Sequence, residues 1–158
     1  MKIACLTHYY IEENRAGGEM MMHALLKRLV QEGHDVTAYI TKTTRPDTII
    51  DGVNVIYTHH CLYDLDAANY DLIISQFENS TMAIKHAHQH GRPVCIVVHN
   101  HIVQCTIDKL LPNDFVVYNT EWLQKLYKTP CRSMVVHPPL NIDGSIDTLN
   151  FSQRQYVT

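Results

Sequence analysis

Short apolar runs alternate along this chain with longer segments whose apolar residues recur at helical spacing. Lys2–His8, Asp35–Thr41, Val53–Thr58, Asp71–Ser75, Val94–His99, Phe115–Asn119 and Ser133–His137 are rich in β-branched and aromatic residues, and the pattern predicts strands. Val94–His99 (VCIVVH) is almost continuously apolar, which predicts a strand covered on both faces. Gly18–Glu32, Asn79–His90 and Glu121–Tyr127 read as helices. In the first, Met22, Leu25, Leu26, Leu29 and Val30 share a face, Glu19 suits the positive helix end, and Gly33 is a stop. Gly91 and Pro93 close the second. Cys105–Leu111 reads as a short helix before Pro112, and Thr43–Asp51, carrying Pro46, as a loop. His59–Asn69 is ambiguous between loop and helical turn.

Strands alternating with helices imply right-handed βαβ crossovers. The fold class expected is α/β: a three-layer Rossmann-like domain with a mostly parallel sheet and helices on both faces. Ligands of such sheets bind outside the carboxyl ends of the strands. The residues to read for chemistry are therefore His8, Gly17, Gly18, Gln76, Glu78, His99, Asn100, Asn119, Thr120 and Pro138. The Gly17-Gly18 pair admits positive φ and close approach of another molecule. It feeds a helix N-terminus whose free N–H groups suit an anion or a sugar hydroxyl. Neither the dinucleotide fingerprint G-x-G-x-x-G nor a Walker loop is present.

A length of 158 residues predicts one domain. Residues 1–143 are assigned to it. Residues 144–158, with Gly144 and Ser145, read as a connector towards a second domain that the chain lacks. A net charge of −3 and the lack of a Lys/Arg run weigh against nucleic acid as partner. No segment approaches 18 apolar residues, so no transmembrane segment is expected. Five cysteines without a C-x-x-C pair predict reduced, buried thiols and a cytoplasmic location. Among eleven histidines, His86 and His90 stand four apart, but no cysteine or acid completes a zinc spacing in sequence. A solvated histidine-rich helix face, with no metal, is the expectation. No Gly-x-Ser-x-Gly elbow is present.

Four stretches carry a family likeness: MKIACLTHYY with the following AGGE, then EGHDVTAYIT, then GRPVCIVVHN, then DFVVYNTEWLQKLY with SMVVHPPLNID. In this order and spacing, the chain up to Asp143 resembles the N-terminal half of a GT-B glycosyltransferase of the retaining family 4. Where that family has an Asn-Gly pair after the last strand's proline, Pro139 and Leu140 stand here. The resemblance implies the acceptor-side domain of an enzyme moving a hexosyl group from a nucleoside diphosphate sugar to an acceptor hydroxyl, without metal or other cofactor. It implies that Gly17 and Gly18 approach the donor diphosphate or acceptor, and that His99 is the catalytic residue at the transferred sugar. Asn100, Asn119 and Thr120 become candidate substrate contacts, although Thr120 equally suits a helix N-cap. Most donor contacts belong to the family's second domain, so activity is expected to need a missing C-terminal domain or a partner chain. An exposed surface around Pro138–Ile142 is a possible dimer contact. The alternative is a stand-alone binding or assembly module on the same sheet. A small nucleotide-binding protein is disfavoured by the missing glycine fingerprint.

Overall fold

The computed structural model describes residues 1–77, 79–100 and 107–137. In chain order these form β1 (Lys2–Thr7), α1 (Gly17–Gln31), β2 (Asp35–Ile40), β3 (Thr48–Ile50), β4 (Val53–Tyr57), α2 (Cys61–Ala68), β5 (Leu72–Gln76), α3 (Asn79–Gln89), β6 (Val94–Val98), a 3₁₀ turn (Ile107–Lys109), β7 (Phe115–Tyr118), α4 (Glu121–Leu126) and β8 (Arg132–Val135). The strands make one sheet in the order β3-β4-β2-β1-β5-β6-β7-β8. Every neighbouring pair is parallel except β3 with β4. The expected α/β class with a mostly parallel sheet is therefore observed.

The two-residue period of the strands divides the core into two clusters. Ile3, Cys5, Val36, Ala38, Ile74 and Val97 pack beneath α1 through Met21, Met22 and Leu26. Ala4, Leu6, Ile73, Ile96 and Tyr118 pack on the other face against Leu65 of α2, Ala83 and Ile84 of α3, and Leu123 of α4. This is why β1 and β6 read as unbroken apolar runs. Both α1 and α3 stop at glycines in the left-handed region, Gly33 at φ 84° and Gly91 at φ 64°. At each stop the amide of the next residue reaches back into the last turn, His34 N to Leu29 O and Arg92 N to Ala87 O.

Three expectations are revised. The Thr43–Asp51 loop contains β3, an antiparallel edge strand joined to β4 through Asp51 and Gly52 at φ 50° and 84°, as a type I′ hairpin requires. The Cys105–Leu111 helix is, in its described part, the 3₁₀ turn at Ile107–Lys109. The histidine face is solvated only in part: His90 is exposed, but His86 is only 5% exposed. His88 Nε2 meets Asp114 Oδ2 at 2.8 Å. The ambiguous segment before β5 holds α2. The connector assigned to 144–158 lies outside the described residues. Among those described, no helix is long and apolar enough to cross a membrane. Cys5, Cys61 and Cys95 are buried free thiols, and Cys131 is a half-buried one. Burial pushes the Cys95 thiol up to about 12 and Cys5 higher still, so neither is a nucleophile.

Asp114, 1% exposed, ties the start of β6 to the turn before β7. It accepts from Val94 N at 3.0 Å and Leu111 N at 2.6 Å, besides facing His88. Replacing it removes the acceptor of the buried Val94 amide and of the part-buried Leu111 amide. Asp114→Ala is expected to lower the unfolding free energy by roughly 3 kcal/mol in urea titrations, with Asp114→Asn intermediate.

Candidate functional site

The strand order reverses at β1, which has β2 on one side and β5 on the other. The connections from β1 to α1 and from β5 to α3 leave the carboxyl ends towards opposite faces and open a crevice there. Leu6 pairs with Ser75, so the next residues, Thr7 and Gln76, lie side by side at the mouth. Gln76 pairs with Val97, and His99 stands two residues further on, on the same face as Val97.

These side chains form a line of hydrogen bonds with one possible polarity. The carbonyl of Tyr9 can only accept, so Thr7 Oγ1 donates to it at 3.2 Å. The same hydroxyl accepts from Gln76 Nε2 at 3.1 Å. That turns Gln76 Oε1 towards His99, whose Nε2 lies 2.9 Å away and must donate. His99 is therefore the Nε2–H tautomer, with its lone pair on Nδ1. Burial lowers its pKa from the ordinary 6.5, which keeps the ring neutral at pH 7.

The ring is fixed on its other sides too. Phe77 meets it edge-on with centroids 4.2 Å apart. Phe77 itself sits at φ 51°, a conformation costing a bulky residue about 1–3 kcal/mol. Gly18 explains the rest. A Cβ at Gly18 would stand 2.5 Å from His99 Cε1, whereas nothing lies within 4 Å of one at Gly17. Neither glycine has a positive φ. The expected turn is instead the first turn of α1, and close approach of His99 is the reason for glycine at position 18 alone. Ala16, in the N-cap position, has no side-chain acceptor to cap the first amides of α1.

Asn119 also converges on His99, but through the backbone. Its Nδ2 donates to His99 O at 2.9 Å, and its own carbonyl faces His137 Nδ1 at 3.2 Å. Its buried Oδ1 has no hydrogen-bond partner among the described residues. Thr120 is the N-cap of α4, its hydroxyl accepting from Leu123 N at 3.2 Å. Asn100 follows His99 and is half-buried. Glu78 and Pro138 lie outside the described residues. At the same end of the sheet, Tyr9, Glu13, Asn14, Thr43, Thr44 and Arg45 line an open depression of about 620 Å³. Sequence reading included Gln76 only as a strand end and missed Thr7 and Phe77; their signal lies in the register, not in a motif.

Comparison with known protein families, with curated proteins and with solved structures finds no match to this chain. The site's meaning rests on its own geometry.

Because its folded pKa is depressed, neutral His99 contributes stability that is present above pH 6.5 and lost as pH falls through the folded value. In the unfolded chain the ring takes up its proton first. The stability difference between the native chain and His99→Gln should therefore shift in favour of the variant as pH drops from about 7 to 5. The NMR titration midpoint of His99 should fall below the ordinary histidine value of 6.5.

Proposed function

We propose that the chain is the acceptor-side domain of a nucleotide-sugar-dependent glycosyltransferase, moving a hexosyl group to an acceptor hydroxyl. One observation carries this reading: a neutral, tautomer-fixed His99 is held against the uncapped first turn of α1 at the strand-order reversal. With Nε2–H engaged by Gln76, Nδ1 is the atom that would accept a hydrogen bond from a hydroxyl of the transferred sugar. The amides of Gly17 and Gly18 at the positive end of α1 would receive the donor diphosphate. Asn119 is then a positioning residue, acting on His99 through its carbonyl, and Thr120 serves α4 rather than a ligand. The depression lined by Tyr9 and Arg45 would take the acceptor. Stabilising the departing diphosphate is the main electrostatic demand of this reaction, and most of it would fall to a second domain. The isolated chain is expected to turn over little or no substrate.

The first test is titration of the isotope-labelled chain with UDP-glucose and GDP-mannose. Gly17, Gly18 and His99 resonances should move. Binding that leaves all three unmoved would sink the reading. In a gene product carrying a second domain, Gly18→Ala should lower kcat/KM about 10–100-fold by displacing His99, because misplacements near 1 Å cost that much. Gly17→Ala, with open space around it, should stay near the native rate.

A second reading, a binding or assembly module, is favoured by the far end of the sheet. On the α1 side, Phe115 of β7 and Met134 of β8 are 41% and 57% exposed. They border an apolar hollow of about 220 Å³. A stable dimer that Met134→Lys dissociates, together with indifference to nucleotide sugars, would move the balance to this reading.

A further inference from the structure

We propose that Asp66, His86 and His90 form a binding site for a divalent transition-metal ion of the zinc class. The site lies at the opposite end of the sheet from His99. Tyr70 leads into β5 there, and the α3 histidines precede the turn into β6. The proposal is independent of the glycosyltransferase reading.

His86 on α3 and His90, one residue past its end, are four apart, and His90 N still bonds His86 O at 3.3 Å, so the two share one helical face. Their rings stack with centroids 4.6 Å apart and planes 29° from parallel. Both Nε2 atoms converge on a single oxygen, Asp66 Oδ1 from α2, at 2.9 and 3.1 Å. All three ligand atoms lie within 4.8 Å of one another. Tetrahedral zinc with ligands near 2.1 Å sets them about 3.4 Å apart, so closing around an ion needs shifts of well under a rotamer change. A carboxylate serving only to tie α2 to α3 would need one imidazole. The second ring, stacked on the first and aimed at the same oxygen, is the additional feature.

The outer contact fits as well. His86 Nδ1 lies 2.6 Å from the Tyr70 hydroxyl. With Nδ1–H donating to that oxygen, the Nε2 lone pair points at the ion, as in metal-bound histidines generally. Arg92 lies over the Tyr70 ring, 5.5 Å from its centroid, and holds the phenol in place. Two imidazoles and one carboxylate suit zinc, cobalt, nickel or copper rather than calcium or magnesium, which prefer oxygen alone. Asp66 and His90 are exposed, which gives the ion a way in, and three protein ligands leave a coordination position for water. The bound ion would clamp α2 to α3.

The test is titration of the tag-free, metal-stripped chain with Co²⁺, followed by visible absorption. One equivalent should bind with the intense bands of a four- or five-coordinate site, and Zn²⁺ should displace it and raise the melting temperature. His86 is buried, so the decisive variants are the exposed His90→Ala and Asp66→Ala, checked for native circular dichroism. Each should weaken Co²⁺ binding more than tenfold. Tyr70→Phe should weaken it about tenfold through the outer shell. His59→Ala, a histidine elsewhere, should change nothing. Absence of saturable binding, or native affinity in both His90→Ala and Asp66→Ala, would overturn the proposal.

Discussion

A single backbone carbonyl, that of Tyr9, sets the chemistry at the top of the sheet. It cannot donate, so the threonine, the glutamine amide and the imidazole beyond it each have one allowed orientation. The amide of Gln76 is 1% exposed, and turning it over would take the Thr7 hydroxyl away from the Tyr9 carbonyl, so the observed orientation is the one that satisfies every member of the line. The proton position on His99 thus follows from the register of β1, β5 and β6. Any shift of β5 by one residue would send Gln76 to the other face and release the ring.

The layer arrangement was legible in the sequence wherever a run was long or stopped by glycine. The unbroken apolar character of β1 and β6 reflected burial on two faces, and Gly33 and Gly91 marked the ends of α1 and α3. The edge strand β3 was not found, although the Asp51-Gly52 pair is a strong hairpin signal. Pro46 and the polar residues before it drew the reading towards loop, and a three-residue edge strand carries little periodicity of its own. Of the candidate site, His99, Gly18 and Asn119 do come together. The reason for Gly18 was misread as backbone freedom, because only the fold shows which ring lies above it. Thr7 and Phe77 were missed for a similar reason: they matter through cross-strand neighbours, and neither residue type announces that. The same applies to Asp66, which stands twenty residues before His86 and meets it only once α2 folds back.

The two polar clusters on the histidine helix divide its labour. His88 turns to Asp114 and fastens α3 to the segment between β6 and β7, while His86 and His90 turn to Asp66 on α2. On the other face, α1 is fastened to the β3–β4 hairpin, where Asp51 meets His23 Nε2 at 3.0 Å and Lys27 Nζ at 2.9 Å. These contacts hold the carboxyl of Asp51 below its ordinary range. Both α1 and α3 are thus held by acids from elsewhere in the chain, with apolar packing beneath.

The central place of β1 has a consequence for synthesis. One edge of β1 pairs with β2, which follows closely. The other waits for β5, whose first paired residue, Leu72, lies opposite Ile3. On a ribosome adding about 5–20 residues each second, that second edge stays open for several seconds. The seam then closes with a reciprocal clasp, Asp71 N on Lys2 O and Lys2 N on the Asp71 carboxylate, both at 2.7 Å. A nascent chain stalled before Asp71 would present an apolar strand with half its hydrogen bonds unmade, a target for chaperones while translation pauses.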